Sequence, residues 1–180
     1  MKSYTKSYTN IEQQNKVHEN HKTDAIAILR NHGLRVADIE DSFGYKKAGN
    51  HFLVSRECGN VKTVRLIADT QIGRTGNFFI EIEHHRYNDE SKEGTYRTEK
   101  GWFLEDSADI LMVYDVLNRV LYGLSMPALQ YGVDTSKGTF KPNRIDKNCM
   151  TCFKLVSLKQ CRNMGAFYFK WSSPSARRAV

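Results

Sequence analysis

The chain has 180 residues, with 27 Lys and Arg against 20 Asp and Glu, for a formal charge of +7. Hydrophobic residues at 40% and charged residues at 26% form an ordinary globular balance. That excludes wholesale disorder and leaves enough apolar material for one core without disulfide staples. No run approaches the ~18 consecutive apolar residues of a membrane span. The opening MKSYTKSYTNIEQQNK carries charge with no apolar stretch behind it, so no secretory signal is expected. A cytoplasmic protein with reduced cysteines follows as the expectation. The positive excess favours a polyanionic partner, nucleic acid ahead of a membrane surface.

Residues 1–14, with the near-duplication KSYT-KSYT, are expected to form a flexible arm, because a polar segment cannot offset its ordering entropy. Residues 15–172 are expected to form one domain, and 173–180 a basic tail. From Asn15 to Asn31 the spacing of Val17, Ala25, Ile28 and Leu29 predicts a helix, closed by Gly33. Short β runs follow at 34–36, 50–55, 61–68 and 77–83. Gly59-Asn60 and Gly73–Gly76 separate the last three, which predicts an antiparallel meander over 49–83. The charged stretch HHRYNDESKEGTYRTEK reads as an exposed loop. Ser107–Leu111 reads as a short helix capped by Ser107, Met112–Val116 and Val120–Leu124 as strands, and Met126–Val133 as a helix starting near Pro127. Strands at 153–156 and 166–171 complete an α/β domain: an N-terminal helix, a mixed central sheet and short helices.

The informative constellation is Asp69-x11-Glu81-Ile82-Glu83. Period-two alternation would point Glu81 and Glu83 to one face, and Asp69 would arrive from the end of the neighbouring strand. Three such carboxylates suit Mg²⁺ or Mn²⁺, which prefer oxygen ligands. A metal held there would activate water and stabilise the charge that develops on phosphate. The same glutamates also fit a plain half-exposed strand, and Asp69 also fits a turn.

On these residues the chain resembles the PD-(D/E)XK nucleases, and among them the small phage-encoded members. The likeness rests on Asp69, Thr75-Gly76-Asn77, the strand Phe78-Phe79-Ile80-Glu81, then Gly101-Trp102, Ser107-Ala108-Asp109 and Val113-Tyr114. It implies a DNA-binding, metal-dependent phosphodiesterase in which Asp69 and Glu81 hold the ion and Glu83 completes the site. The chain departs from the family where the Glu-x-Lys pair would stand, at Arg65 and Ile67, and where the preceding Asp would stand, near Asn50. The alternative is therefore an inactive nuclease-fold protein that binds nucleic acid or inhibits a host protein. A homodimer is compatible with either.

Arg65 and Arg74 are expected to face phosphate. Arg86, Lys92, Arg97 and Lys100 would track a backbone, with Tyr87, Tyr96 and Trp102 available to stack on bases. Lys137, Lys141, Arg144 and Lys147, followed by Arg177-Arg178, form a second basic group with few acids nearby. Cys149-x2-Cys152 with Cys161 resembles half of a zinc ribbon, although a fourth ligand is not evident. His84-His85, directly after the acidic strand, are candidates to donate a proton or hydrogen bond to phosphate.

Overall fold

The computed structural model describes residues 20–42, 44, 49–57, 59–87, 96–136, 138–142 and 149–173. The expected arm, and the expected tail beyond Ser173, with the basic residues Lys92, Lys137, Arg144, Lys147, Arg177 and Arg178, lie outside them. None of the described helices is long and apolar enough to cross a membrane.

Helix α1 (20–31) buries Ala25, Ile28 and Leu29 completely. It ends as the glycine predicts: Gly33 adopts φ +79°, its N–H reaches the Arg30 carbonyl and the Leu34 N–H reaches Leu29. Strands β1 (Arg35–Asp38), β2 (Phe52–Ser55) and β3 (Lys62–Asp69) form the antiparallel meander. The meander lies one strand earlier in the chain than expected, because β4 (Asn77–Tyr87) does not join β3. The free edge of β3 is taken instead by β6 (Ile110–Asp115), which runs parallel to it, and β7 (Val120–Ser125) and β10 (Phe167–Ser172) extend the sheet in the order β1-β2-β3-β6-β7-β10.

Between β3 and β4 lies α2 (Ile72–Thr75), closed by Gly76 at φ +68°, rather than a hairpin turn. The second sheet has the order β5-β4-β9-β8 and is antiparallel throughout, with β5 (Tyr96–Lys100), β8 (Thr139–Pro142) and β9 (Cys149–Ser157). The stretch expected to be a loop therefore supplies the end of β4 and all of β5. The helix expected at 107–111 is replaced by α3 (Trp102–Glu105), since the apolar run from Ile110 enters β6. Helix α4 (Met126–Gly132) starts with Pro127 in its first turn, as predicted, and α5 (Leu158–Asn163) carries a capping box between Ser157 and Gln160.

Alternation along β3 splits the interior. Val64 and Leu66 face α1 in a smaller core with Phe52, Met112 and Leu121, whereas Ile67 packs against the larger core between the two sheets. That larger core joins Leu111, Val113 and Leu124 to Phe78, Ile80 and Ile82. β7 is buried along its whole length because it lies between both cores. Gly123 on β7 is covered by the Phe169 ring of its register partner, and no side chain would fit there.

The α1 layer is also tied by polar contacts. The Tyr114 hydroxyl donates to Asp24 at 2.7 Å, and Arg119 donates to the other carboxylate oxygen at 2.8 Å. Burial, and then the Asp24 carboxylate, push the Tyr114 hydroxyl up to about 12. A raised tyrosine pKa means that the folded state prefers the neutral phenol. Its contribution is complete below the ordinary value of 10.0 and is lost as pH rises through about 12. Tyr114→Phe is expected to cost about 1.5–3 kcal/mol in urea unfolding at pH 7, the worth of a hydrogen bond to a charged group. Above the folded-state pKa the difference between variant and wild type should shrink.

Candidate functional site

Strand β4 carries the candidate acids, and its pairing with β9 is irregular there. Glu81 is the register partner of Phe153 and Glu83 of Cys152, so one extra residue is inserted between them. Such a bulge re-aims side chains. Gly101 packs so closely on the backbone of Glu81 and Ile82 that no Cβ fits, and its N–H donates to the Ile82 carbonyl at 2.7 Å, which fixes α3 against the bulge.

The result is two carboxylate–imidazole pairs in succession. His84 Nε2 lies 2.7 Å from Glu81 Oε1, and His85 Nε2 lies 3.0 Å from Glu83 Oε2. A proton on Nε2 of His84 satisfies Glu81 and leaves Nδ1 as an acceptor. Thr151 Oγ1 stands 3.3 Å and Cys149 Sγ 3.9 Å from that nitrogen. The His85 ring packs on Phe140 at 4.5 Å. With the four side chains 19–42% exposed, solvent screens both pairs, and each contributes under about 1 kcal/mol to stability. Their chemical capacity is proton transfer by an oriented imidazole.

Asp69 does not join them. It ends β3 in the first sheet, beside its register partner Asp115 on β6. Its Oδ1 accepts from the N–H groups of Gln71 at 2.6 Å and Ile72 at 2.7 Å, which shapes the entry to α2. Asp115 is buried and accepts from the N–H groups of Leu117 and Asn118 and from the Asn118 amide, holding the β6–β7 turn. Among the described residues, no three His, Cys, Asp or Glu side chains gather in a way that could hold a metal ion. The expected Asp69–Glu81–Glu83 set is thus divided between two sheets. Period-two alternation placed the glutamates but could not say which strand β4 pairs with.

Arg65 lies on β3, next to the start of β2. The His51 N–H donates to Val64 and the Leu66 N–H to His51 Nδ1, both at 2.8 Å, which sets the start of β2 beside the middle of β3. What stands there is an internal ion pair. Arg65 Nη1 donates to Asp106 Oδ2 at 2.6 Å, and its guanidinium lies 4.4 Å from the centre of the Trp102 ring. The Asp106 side chain is wholly buried and its other oxygen accepts from the Ala108 N–H. Gly49, at φ +73°, leaves the space that the Arg65 guanidinium fills. Arg65 therefore turns inward, away from the phosphate-facing role expected of it. Asp106 carries no motif and was not legible in the sequence. Its signal is spatial, a buried acid awaiting a cation.

The remaining cations divide as follows. Arg74 is exposed on α2, with its guanidinium 2.6 Å from Gln71 Oε1. Arg86 on β4 and Arg97 on β5 are direct register partners, and Lys141 on β8 pairs in register with Thr151. The zinc expectation does not fit the donors. Cys152 and Cys161 belong to the larger core, while Cys149 sits beside His84. Burial pushes the Cys161 thiol up to about 11, and burial followed by Glu83 raises Cys152, so neither readily supplies a thiolate.

No family model matches the chain, and no curated protein matches it. Among solved structures it is similar to a bacterial homing endonuclease, I-Ssp6803I, at 16% identity and a TM-score of 0.43, covering 69% of this chain and 81% of that one.

Cys152 and Cys161 are expected to remain unlabelled by a thiol reagent at pH 8 until the protein is unfolded, with mass spectrometry as the readout. Stoichiometric labelling of Cys161 in the folded protein would contradict its placement.

Proposed function

We propose that the protein binds DNA through the β4–β5 hairpin and that its nuclease-like motif positions serve the fold rather than hydrolysis. The observation that carries this reading is the +7 charge of the chain, with Arg86 and Arg97 at register-partner positions of β4 and β5. That excess of positive charge supplies long-range attraction to a polyanion such as the DNA backbone. On the side of chemistry, Arg65 and Asp106 neutralise one another where a catalytic acid would be needed, and the Asp69 carboxylate is committed to the backbone of α2.

A second reading keeps the PD-(D/E)XK-type, Mg²⁺- or Mn²⁺-dependent phosphodiesterase with Asp69, Glu81 and Glu83. It is favoured by the partial exposure of Glu81 and Glu83, each beside an imidazole, on the same strand as Arg86.

Binding of a labelled duplex, followed by anisotropy across a salt series, separates these readings together with a plasmid assay in Mg²⁺ and in Mn²⁺. We expect affinity to fall log-linearly with salt. Arg86→Ala with Arg97→Ala should flatten that slope by about 2, roughly one per cation removed. The plasmid should remain uncut. Metal-dependent cutting that disappears in Glu81→Ala would replace the first reading with the second.

A further inference from the structure

We propose that a cavity of about 330 Å³ beside the smaller core is a slot for one unpaired nucleobase of a single DNA strand. The proposal rests on the DNA-binding reading and gives it a strand preference. The floor is apolar, made by Val54 and Met112, and the aromatic residues Tyr168, Phe169 and Trp171 of β10 form one wall. Its volume falls at the lower end of the range for small-ligand sites, which suits a planar base better than a larger cofactor.

The wall is stiff. Phe169 lies flat over Gly123, Trp171 stacks on Phe169 at 3.8 Å between ring centres, and His32 at the end of α1 stacks on the other face of Trp171 at 4.3 Å. With both faces of Trp171 covered, that ring offers the slot its edge. Tyr168 differs: it is 56% exposed and no described residue stacks on it, so its face is available to a base. A register shift between Phe167 and Phe169 re-aims the chain at this residue.

The rim supplies charge of the right sign. The Arg56 side chain is exposed and forms no hydrogen bond or ion pair with a described residue. Lys62, also on the rim, shares its ammonium with Asp109 at 3.0 Å and is the weaker contributor. Aromatic face, apolar floor and cationic rim together match base, sugar and phosphate. Base–aromatic stacking tolerates any sequence because every base has a π-face, so the slot is not specific for one base.

The test is anisotropy of a labelled single strand and of a labelled duplex on wild type, Tyr168→Ala and Arg56→Ala, with circular dichroism melts on all three. Tyr168 and Arg56 are surface residues, so unchanged melts are expected. Tyr168→Ala should weaken single-strand binding by about 5- to 150-fold, the range of one lost stack, and leave duplex binding unchanged. Arg56→Ala should reduce the salt slope for the single strand by about 0.7. Wild-type affinity for the single strand in both folded variants would overturn the slot while leaving DNA binding in place. Failure of the wild type to bind either DNA at low salt would overturn the DNA-binding reading and the slot with it.

Discussion

A strand has two hydrogen-bonding edges, and in this protein both edges of β3 are occupied. β2 pairs antiparallel along one edge and β6 pairs parallel along the other, through six consecutive register partners from Val64–Ile110 to Asp69–Asp115. The strand that follows β3 in the chain has no place beside it. α2 carries the chain out of the first sheet, and β4 begins a second one. From this come the larger core between the sheets, the full burial of β7 and the separation of Asp69 from Glu81 and Glu83. Arg65 and Ile67 point into the space that the second sheet closes, while Val64 and Leu66 point to α1.

The acids illustrate how such a basic chain holds together. Asp24 joins α1 to Tyr114 and Arg119, Asp106 holds Arg65, and Asp109 accepts from the Thr63 N–H and hydroxyl and from Lys62. Burial works against ionisation of Asp109, but those three donors outweigh it and draw its pKa below the ordinary carboxylate value. Each of these acids is spent on a strand end, a turn or a buried cation. Hydrogen-bonded carboxylates placed in this way order the backbone. Arg74 and Arg56, by contrast, remain exposed at the surface.

Much of the first sheet was legible from the sequence. Apolar spacing with a terminal glycine identified α1. Alternation identified β2 and β3, the dense apolar runs identified β6 and β7, and Pro127 marked the start of α4. The second sheet was harder, for a physical reason: the outer part of β4 and all of β5 are rich in charged residues with no apolar alternation, so in the sequence they resemble a loop. β8 is only four residues long, and α2 is a single turn, below the length at which helical periodicity exists. The capping box Ser157-x2-Gln160 before α5 was present in the chain as a usable signal. At the candidate site, the Glu81–Glu83 and His84–His85 cluster was legible as composition. Its pairing was not, because the bulge that brings Glu81 to His84 depends on β9, about 70 residues away. Asp106 gave no local sign at all.

Arg65 and Asp106 form an internal pair between β3 and the segment after α3. A double-mutant cycle with Arg65→Met and Asp106→Asn, read by urea unfolding, tests that most directly. Each single change should cost about 3–5 kcal/mol, because it strands a buried partner, and the double variant should cost clearly less than the sum. Additive losses with no coupling would mean that the two side chains do not depend on one another, and the assignment of this position to the fold would fail.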